Sequence, residues 1–260
     1  MRLKMYQVDA FASSVFTGNP AAICPLDSWL PDSTMQSIAM ENNLAETAFF
    51  VREQDHYHIR WFTPATEVEL CGHATLASAH VIFNHLDHAG EVIEFSSLSG
   101  TLRITRDGSK LTLDFPADPP QPVEITPQLS GCFPGNNFFA FKGKTDLMLV
   151  FDNETVIASL RPDMRLLGQL PQRGVIVTAR GEEVDFVSRF FGPRVGIDED
   201  PVTGSAHTTL TPYWADALGK TELTAMQLSA RKGWLACCLR GDRVEITGEA
   251  VTYLTGEITI

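Results

Sequence analysis

The chain has 260 residues, with 32 acidic against 20 basic side chains and a formal net charge of −12 at pH 7. Nucleic-acid-binding proteins concentrate Lys and Arg on one face, so this charge balance argues against a nucleic-acid partner. Hydrophobic residues make up 44% of a composition typical of globular proteins, and no apolar run approaches the roughly 20 residues that span a bilayer.

The cysteines and the N-terminal residues favour a reducing cytoplasm. Five cysteines form an odd set without the spacing of a disulfide framework. The first residues, MRLKMYQVDAF, alternate like a strand and lack the apolar stretch of a secretion signal. We therefore expect a soluble, cytoplasmic protein without a membrane segment.

The first predicted helix follows the segment PDST. Met35 and Ile38 continue that segment with helical spacing, and either Asp32 or Ser33 can cap the first turn. The helix is expected to end near residues 42–43. The segments TAFFV and YHIRWF then indicate strands, so Glu46 lies where a helix gives way to a strand.

Two further helices are expected directly after glycines. The segment HATLASAHVIFNHL, after Gly72, is apolar nearly all round, which predicts a helix buried at the centre of a lobe. After Gly204, apolar residues recur at helical spacing until Gly219 ends the pattern. Pro212 lies inside this second pattern, so either the helix bends there or its regular part begins later.

The two glycine segments belong to a repeat with a period of about half the chain. A strand pair turning at Asp107-Gly108 follows the first segment, and a similar pair turning at Gly241 follows the second. The matched positions are Arg60/Arg189, Phe62/Phe191, Pro64/Pro193, Gly72/Gly204, Gly100/Gly233, Leu102/Leu235, Gly108/Gly241 and Leu113/Ile246. This period predicts two equivalent lobes, residues 1–117, completed by the C-terminal strand, and residues 118–260.

The repeated glycines suggest where a ligand binds. If Gly72 and Gly204 open helices that face each other across a cleft between the lobes, their unpaired N–H groups form a cradle for a carboxylate. Glu46 and Asp200 are the acids nearest to these features. A partly desolvated carboxylate at Glu46 suits a group that removes a proton from carbon and returns it, although residue type alone favours a local capping or pairing role for Glu46.

Four ordered segments carry a family resemblance. VDAFASSVFTGNPAAI, AMENNLAETAFF, RWFTPATEVELCGHATLASAH and DEDPVTGSAHTTL resemble the PhzF-like, or phenazine biosynthesis-like, family, which shares the fold of diaminopimelate epimerase. The resemblance covers essentially the whole chain. It implies an α+β fold of two pseudo-symmetric lobes, each a mostly antiparallel sheet or barrel wrapped around a central helix. It also implies an active site between the lobes without metal or other cofactor, and commonly a homodimer.

The same resemblance implies a role for each motif residue. Glu46 corresponds to the glutamate that shuttles a proton between carbons of a cyclic amino-acid substrate. The resemblance assigns catalysis to Glu46, Asp200 and His73, and substrate binding to Gly72, His73, Gly204, Ser205 and Cys71, with the two glycines donating from their backbone to the substrate carboxylate.

The chain resembles the epimerase relatives at only one of their two catalytic cysteines. Cys71 takes the position of one of them, but the matching residue of the second half is Thr203, whose hydroxyl is too weakly acidic to act as a second base. A mechanism with two thiols is therefore disfavoured. Cys71 is either a thiol of lowered pKa at a helix N-terminus or a small buried residue.

The sequence thus predicts a cofactor-independent isomerase that acts on a small carboxylic or amino acid by general acid–base catalysis. Two alternatives stay open: an amino-acid epimerase or racemase, and a member of the family that binds a small molecule or a protein without catalysis. Fold and motif do not identify the substrate.

Overall fold

The computed structural model describes residues 1–260 and has a mixed α+β fold. In chain order the strands are β1 (Arg2–Ala10), β2 (Asn19–Leu26), β3 (Glu46–Glu53), β4 (His56–Phe62), β5 (Glu67–Val68), β6 (Val92–Ser97), β7 (Gly100–Asp107), β8 (Lys110–Pro116), β9 (Gln121–Pro122), β10 (Phe139–Lys142), β11 (Leu147–Val150), β12 (Val175–Arg180), β13 (Phe186–Gly192), β14 (Ile197–Asp200), β15 (Glu222–Gln227), β16 (Gly233–Arg240), β17 (Arg243–Gly248) and β18 (Ala250–Thr259). The helices are α1 (Asp32–Asn42), α2 (Gly72–His85), α3 (Pro127–Cys132), α4 (Glu154–Ser159), α5 (Met164–Leu167) and α6 (Gly204–Leu218), and a 3₁₀ turn covers Pro193–Val195. None of the helices is long and apolar enough to cross a membrane.

The chain forms two compact units. Unit 1 contains Met1–Asp114 and Thr247–Ile260, and unit 2 contains Phe115–Ile246. The boundary expected from the sequence, between residues 117 and 118, lies slightly later than the end of the first segment. Strands β8 and β17 each run past a boundary and are described here with the unit that holds most of their residues.

The two units repeat one order of strands. In unit 1 the order is β18-β1-β2-β3-β4-β6-β7-β8, with β5 also paired to β4, and in unit 2 it is β9-β10-β11-β12-β13-β15-β16-β17, with β14 also paired to β13. Most pairs are antiparallel. Parallel pairs stand at equivalent places, β2 with β3 and β4 with β6 in unit 1, and β11 with β12 and β13 with β15 in unit 2. The internal repeat and the α+β class expected from the sequence are therefore confirmed.

Each unit packs its strands against one long helix. Helix α2 contacts β1, β2, β3 and β18 and is buried almost throughout its first three turns, as its nearly continuous apolar sequence predicts. Helix α6 contacts β15 and β16, and its buried residues include Leu210 and Trp214. In unit 1 a further core lies under α1, where Met35 and Ile38 pack with Phe49 and Phe62.

The hairpin turns match between the units. Gly108 and Gly241 have positive φ angles of 61° and 62°, a conformation that glycine adopts without strain. Asp107 pairs with Lys110, so Gly108-Ser109 form the turn and Asp107 is the last strand residue, one position from the turn assigned from the sequence.

The capping prediction for α1 was wrong. The residue before the helix is Pro31, and no side chain caps the first turn. The Asp32 carboxylate instead accepts a hydrogen bond from Arg60 at 2.9 Å. The expected end of the helix is confirmed, because Asn43 adopts the left-handed conformation directly after it.

Helix α6 accommodates Pro212 without a late start. The helix begins at Gly204 and continues past the proline, so the suggestion of a later beginning was wrong. A proline has no N–H to donate to the carbonyl four residues earlier, which here is Thr208. The Asp118 N–H donates to that carbonyl at 3.0 Å, and its side chain accepts from Thr209. The buried backbone group is therefore satisfied from outside the helix.

Candidate active site

Glu46 lies at the first residue of β3, as the sequence indicates. Helix α1 ends because Asn43 takes the left-handed conformation with φ 49°, which asparagine tolerates better than most residues. The chain then enters β3 parallel to β2, with Glu46 paired to Ala21. The Glu46 side chain is only 12% exposed.

His73 brings the carboxylate and a thiol onto one imidazole ring. His73 Nε2 lies 3.2 Å from Glu46 Oε2. On the other edge of the ring, His73 Nδ1 lies 3.5 Å from Cys71 Sγ and 3.2 Å from the side-chain nitrogen of Asn19. Three residues predicted for the site, Glu46, Cys71 and His73, are therefore in contact within unit 1.

Asn19 supports the edge of the ring that faces away from Glu46. Its side-chain amide lies 3.2 Å from Nδ1, and Nε2 is the nitrogen nearest to Glu46. Sequence reasoning missed this residue. Its signal was present in the quoted segment TGNPAAI, but the contact joins positions 54 residues apart.

The electrostatics of the cluster favour keeping a proton in it. Burial opposes charge on His73, but the neighbouring Cys71 and Glu46 outweigh that effect and raise the pKa of the ring well above its ordinary value. Burial, followed by the charge of Glu46, raises the pKa of Cys71. The raised pKa of Cys71 favours the interpretation as a small buried residue over that of a thiol of lowered pKa.

Two buried polar atoms of the cluster lack a hydrogen-bond partner. Glu46 Oε2 and His73 Nε2 are close, but the geometry between them does not meet that of a hydrogen bond. Buried polar atoms are normally paired, so each such atom calls for an explanation. Both lie at the start of α2, where helix N–H groups also lack intrahelical acceptors.

Glu46, Cys71 and His73 are also residue types that bind metal ions. Their ligand atoms lie within 4.8 Å of one another. The thiol and the carboxylate, however, meet opposite nitrogens of the imidazole, whereas a shared ion needs all three donors to converge on one point. The arrangement therefore suits proton transfer along the ring better than coordination of one ion.

In unit 2 the predicted residues gather around the start of α6. Asp200 ends β14, Gly204 opens the helix, and Ser205 follows it. The Thr203 hydroxyl donates to Asp200 Oδ2 at 2.5 Å, so it supports the carboxylate. This contact agrees with the inference that Thr203 is not a second base.

Gln227, which sequence reasoning also missed, fixes this segment. Its side-chain oxygen accepts from the Thr203 N–H at 2.8 Å, and its nitrogen donates to the Asp200 carbonyl at 2.8 Å. Gln227 is fully buried at the end of β15. One amide therefore holds both sides of the turn between Asp200 and the helix.

Comparisons with known proteins identify close relatives. Residues 8–256 match the model of the family described as phenazine biosynthesis-like protein. The chain is 53% identical over 258 residues to a protein named an uncharacterized isomerase of Pseudomonas aeruginosa, covering 99% of both chains. It is 47% identical to the crystal structure of a phenazine biosynthesis protein of the PhzF family from Enterococcus faecalis, with a TM-score of 0.97 and full coverage of both chains.

A more distant comparison concerns the fold alone. The structure of a probable proline racemase from Agrobacterium radiobacter K84 is 12% identical, with a TM-score of 0.67, and the match covers 99% of this chain and 93% of that one. The fold is thus shared with racemases as well as with PhzF-like proteins.

Proposed function

The chain belongs to the phenazine biosynthesis-like family, and from this premise we propose that it is an isomerase that moves a carbon-bound proton of a small carboxylic or amino acid by general acid–base catalysis. The observation that carries the proposal is the buried pair of Glu46 Oε2 and His73 Nε2, 3.2 Å apart and without hydrogen-bond partners. A substrate group beside these two atoms would satisfy both of them.

Glu46 is the proposed base. It removes a proton next to an activating group of the substrate and delivers it to a second carbon. His73, whose Nε2 lies 3.2 Å from Glu46 Oε2, donates from that nitrogen to the charge that develops during transfer. Positioned proton transfer of this kind contributes about 10²- to 10⁴-fold to a rate.

The other predicted residues are proposed to bind rather than to exchange protons. The backbone N–H groups of Gly72 and Gly204 each lie at the start of a long helix and are proposed as donors to anionic oxygens, as helix N-termini are. Ser205 donates from its hydroxyl, and Asp200 orients the substrate. Cys71, a protonated thiol against the imidazole, is proposed to line the site.

The proposal is tested by proton NMR in D₂O. Chiral amino acids and β,γ-unsaturated cyclic acids are screened for exchange of carbon-bound hydrogen with the wild type, Glu46→Gln and Glu53→Gln. Glu53 is the matched control, because it is an exposed glutamate at the other end of β3. We expect Glu46→Gln to lose exchange by at least about 10²-fold and Glu53→Gln to retain it.

The position of the label identifies the reaction. Deuterium at a second carbon indicates a double-bond shift, and deuterium at the α-carbon with inversion indicates an epimerase. A folded Glu46→Gln protein that exchanges at the wild-type rate contradicts the proposal. Acids that bind without exchange favour a non-catalytic member of the family.

A further inference from the structure

Arg173, a residue without a role so far, contacts Ser205 in unit 2. It lies two residues before β12, and its Nη2 donates to Ser205 Oγ at 3.1 Å. A guanidinium group has donors and no acceptor, so the serine oxygen must be the acceptor in this bond. The hydroxyl hydrogen of Ser205 is then directed away from Arg173 and stays available for an acceptor.

The guanidinium is held in place from several sides. Asp146, which is buried, accepts from Nε at 2.9 Å and also from Nη2. Phe190 lies against the guanidinium, with its ring centroid 5.4 Å from the central carbon. The backbone is fixed too, because the Arg173 N–H donates to Thr145 and the Leu147 N–H donates to Gly174. Such a two-point carboxylate contact restricts both the position and the plane of the group.

The internal repeat gives this contact a counterpart in unit 1. Thr47 pairs with Phe62 in unit 1, and Val175 pairs with Phe191 in unit 2. Because Phe62 and Phe191 are equivalent in the repeat, Glu46 corresponds to Gly174, the neighbour of Arg173. The glycines that open the two helices likewise make His73 correspond to Ser205.

In each unit a side chain at or just before an equivalent strand lies against the residue after an equivalent glycine. In unit 1 it is Glu46, and in unit 2 it is Arg173, one position before the equivalent of Glu46. The unit 1 groups are a carboxylate and an imidazole, which are able to exchange protons. In unit 2 they are a guanidinium and a hydroxyl, which at neutral pH keep theirs. The difference assigns proton transfer to unit 1 and hydrogen-bond donation to unit 2.

We propose that Arg173 is a positioning residue that holds the Ser205 hydroxyl as a hydrogen-bond donor to an oxygen of the substrate. The proposal rests on the proposed function in assigning Ser205 to the substrate, and it goes further in naming the group that decides the direction of the Ser205 bond. The positive charge beside Oγ also polarises the hydroxyl, which strengthens its donation to an anionic oxygen.

The contact is tested without a substrate by placing a titrating atom at position 205. In Ser205→Cys, the alkylation rate of the new thiol by iodoacetamide is measured against pH, with mass spectrometry of the peptide that contains position 205. The measurement is repeated in Ser205→Cys combined with Arg173→Met, Arg173→Lys or Arg165→Met. Arg165 is the matched control, a largely exposed arginine of unit 2.

A cation in contact with the thiol lowers its apparent pKa, and opposite charges at such distances shift a pKa by about 1 to 3. We expect Arg173→Met to raise the apparent pKa by about 1 or more, Arg173→Lys to restore part of the difference, and Arg165→Met to change nothing. Equal apparent pKa values of the thiol in Ser205→Cys with and without Arg173→Met, in variants whose circular dichroism and melting match the parent, overturn the proposal. If Arg173→Met does not fold, Ser205→Cys is compared with and without Arg173→Lys. An equal apparent pKa of the thiol in these two proteins would show that the guanidinium contact with position 205 has no effect, and it would overturn the proposal.

Exchange in D₂O separates this proposal from the proposed function. For an acid that the wild type labels, Arg173→Met is expected to raise KM about 10-fold or more, as one charged hydrogen bond is worth, while kcat changes less. If exchange depends on Glu46 but the thiol pKa is unchanged by Arg173→Met, only the role of Arg173 is rejected and the proposed function stands. A thiol pKa that depends on Arg173, in a protein that binds acids of the panel without exchanging their protons, supports the Arg173 contact and rejects the proposed function.

Discussion

Units 1 and 2 each contain an equivalent arginine–glutamate ion pair, formed between the two strands that precede each glycine segment. In unit 1, Arg60 donates to both carboxylate oxygens of Glu67, each at 2.7 Å. In unit 2, Arg189 donates to both oxygens of Glu199, at 2.7 and 2.9 Å. Each guanidinium also lies against the equivalent phenylalanine, Phe62 or Phe191. The repeat therefore preserves the same side-chain contacts in the strands before each of the two long helices.

The units differ at the residues predicted for the candidate site. The position of Glu46 is taken in unit 2 by Gly174, and the position of His73 by Ser205. The two units thus keep equivalent buried contacts, while only unit 1 has a carboxylate beside an imidazole at these positions. Substitutions at the residues that the units have in common are therefore expected to change stability. Substitutions at the residues that differ are expected to change the chemistry of the site.

The largest stability effect is expected from breaking the shared ion pair in unit 2. The Arg189 side chain is 8% exposed and also donates to the carbonyls of Ile157 and Leu160. Arg189→Met leaves those carbonyls and the Glu199 carboxylate without their donor. We expect a loss of about 3 to 5 kcal/mol in the free energy of unfolding, as for other buried pairs broken on one side.

The equivalent change in unit 1 is the matched comparison. Arg60 is more exposed, at 18% of its side chain, and its further partner is the exposed Asp32. Arg60→Met is expected to cost about 1 to 2 kcal/mol, because water can replace the lost donors. Guanidinium chloride unfolding of both variants checks the difference, and equal losses would contradict the view that the unit 2 pair is the more deeply embedded.

A second difference between the units concerns pH. Thr75 in α2 and His207 in α6 both donate to the carbonyl of the residue before their helix, at 2.6 and 2.9 Å. Only the histidine titrates. Burial, opposed by its bond to the Thr203 carbonyl, lowers the pKa of His207 to about 4.

The sign of the effect follows from proton binding. Between the unfolded pKa of about 6.5 and the folded value, the unfolded chain binds a proton that the folded chain does not, so stability falls as pH falls through that window. For a fully buried group the loss is roughly 3 kcal/mol at most. We expect His207→Gln, which keeps a side-chain donor, to flatten the decline in unfolding free energy between pH 6.5 and pH 4.

Unfolding in denaturant at several pH values measures this slope. His80→Gln in unit 1 is a useful companion, because burial, together with the charge of His85, lowers the pKa of His80 to about 4 as well. His80 is less completely buried than His207, so its effect is expected to be smaller. An unchanged slope in His207→Gln would show that the histidine does not control the acid stability of unit 2.

Local signals were sufficient to predict much of the fold. The change from helix to strand at Glu46 and the helices that begin at Gly72 and Gly204 follow from patterns within a few residues. The repeat follows from comparing the two halves of the sequence. The capping of α1 failed because Arg60, distant in the chain, takes the Asp32 carboxylate. Pro212 was misjudged for a similar reason, since its compensation comes from Asp118.

The candidate site divides in the same way. Glu46, His73 and Ser205 lie in recognisable motifs, and their side chains were named from sequence. Asn19, Gln227 and Arg173 were not, because each acts through a side-chain contact between segments that only the fold brings together. Residue type alone gives no indication that a buried amide faces an imidazole or that an arginine faces a serine.

A final prediction concerns Gly174, the residue that takes the position of Glu46 in unit 2. A Cβ added at Gly174 would lie 2.3 Å from Cζ of Phe190, the ring that also supports Arg173. Gly174→Ala should therefore cost about 1 to 3 kcal/mol of unfolding free energy through overpacking. Gly131→Ala is the control, because its added Cβ meets its nearest neighbour at an ordinary 3.6 Å. If Gly174→Ala is as stable as Gly131→Ala, the Phe190 ring moves aside at little cost in free energy. If Gly174→Ala is destabilised and also raises the pKa of the thiol in Ser205→Cys, a glycine is required at position 174 so that Phe190 can hold Arg173 against position 205.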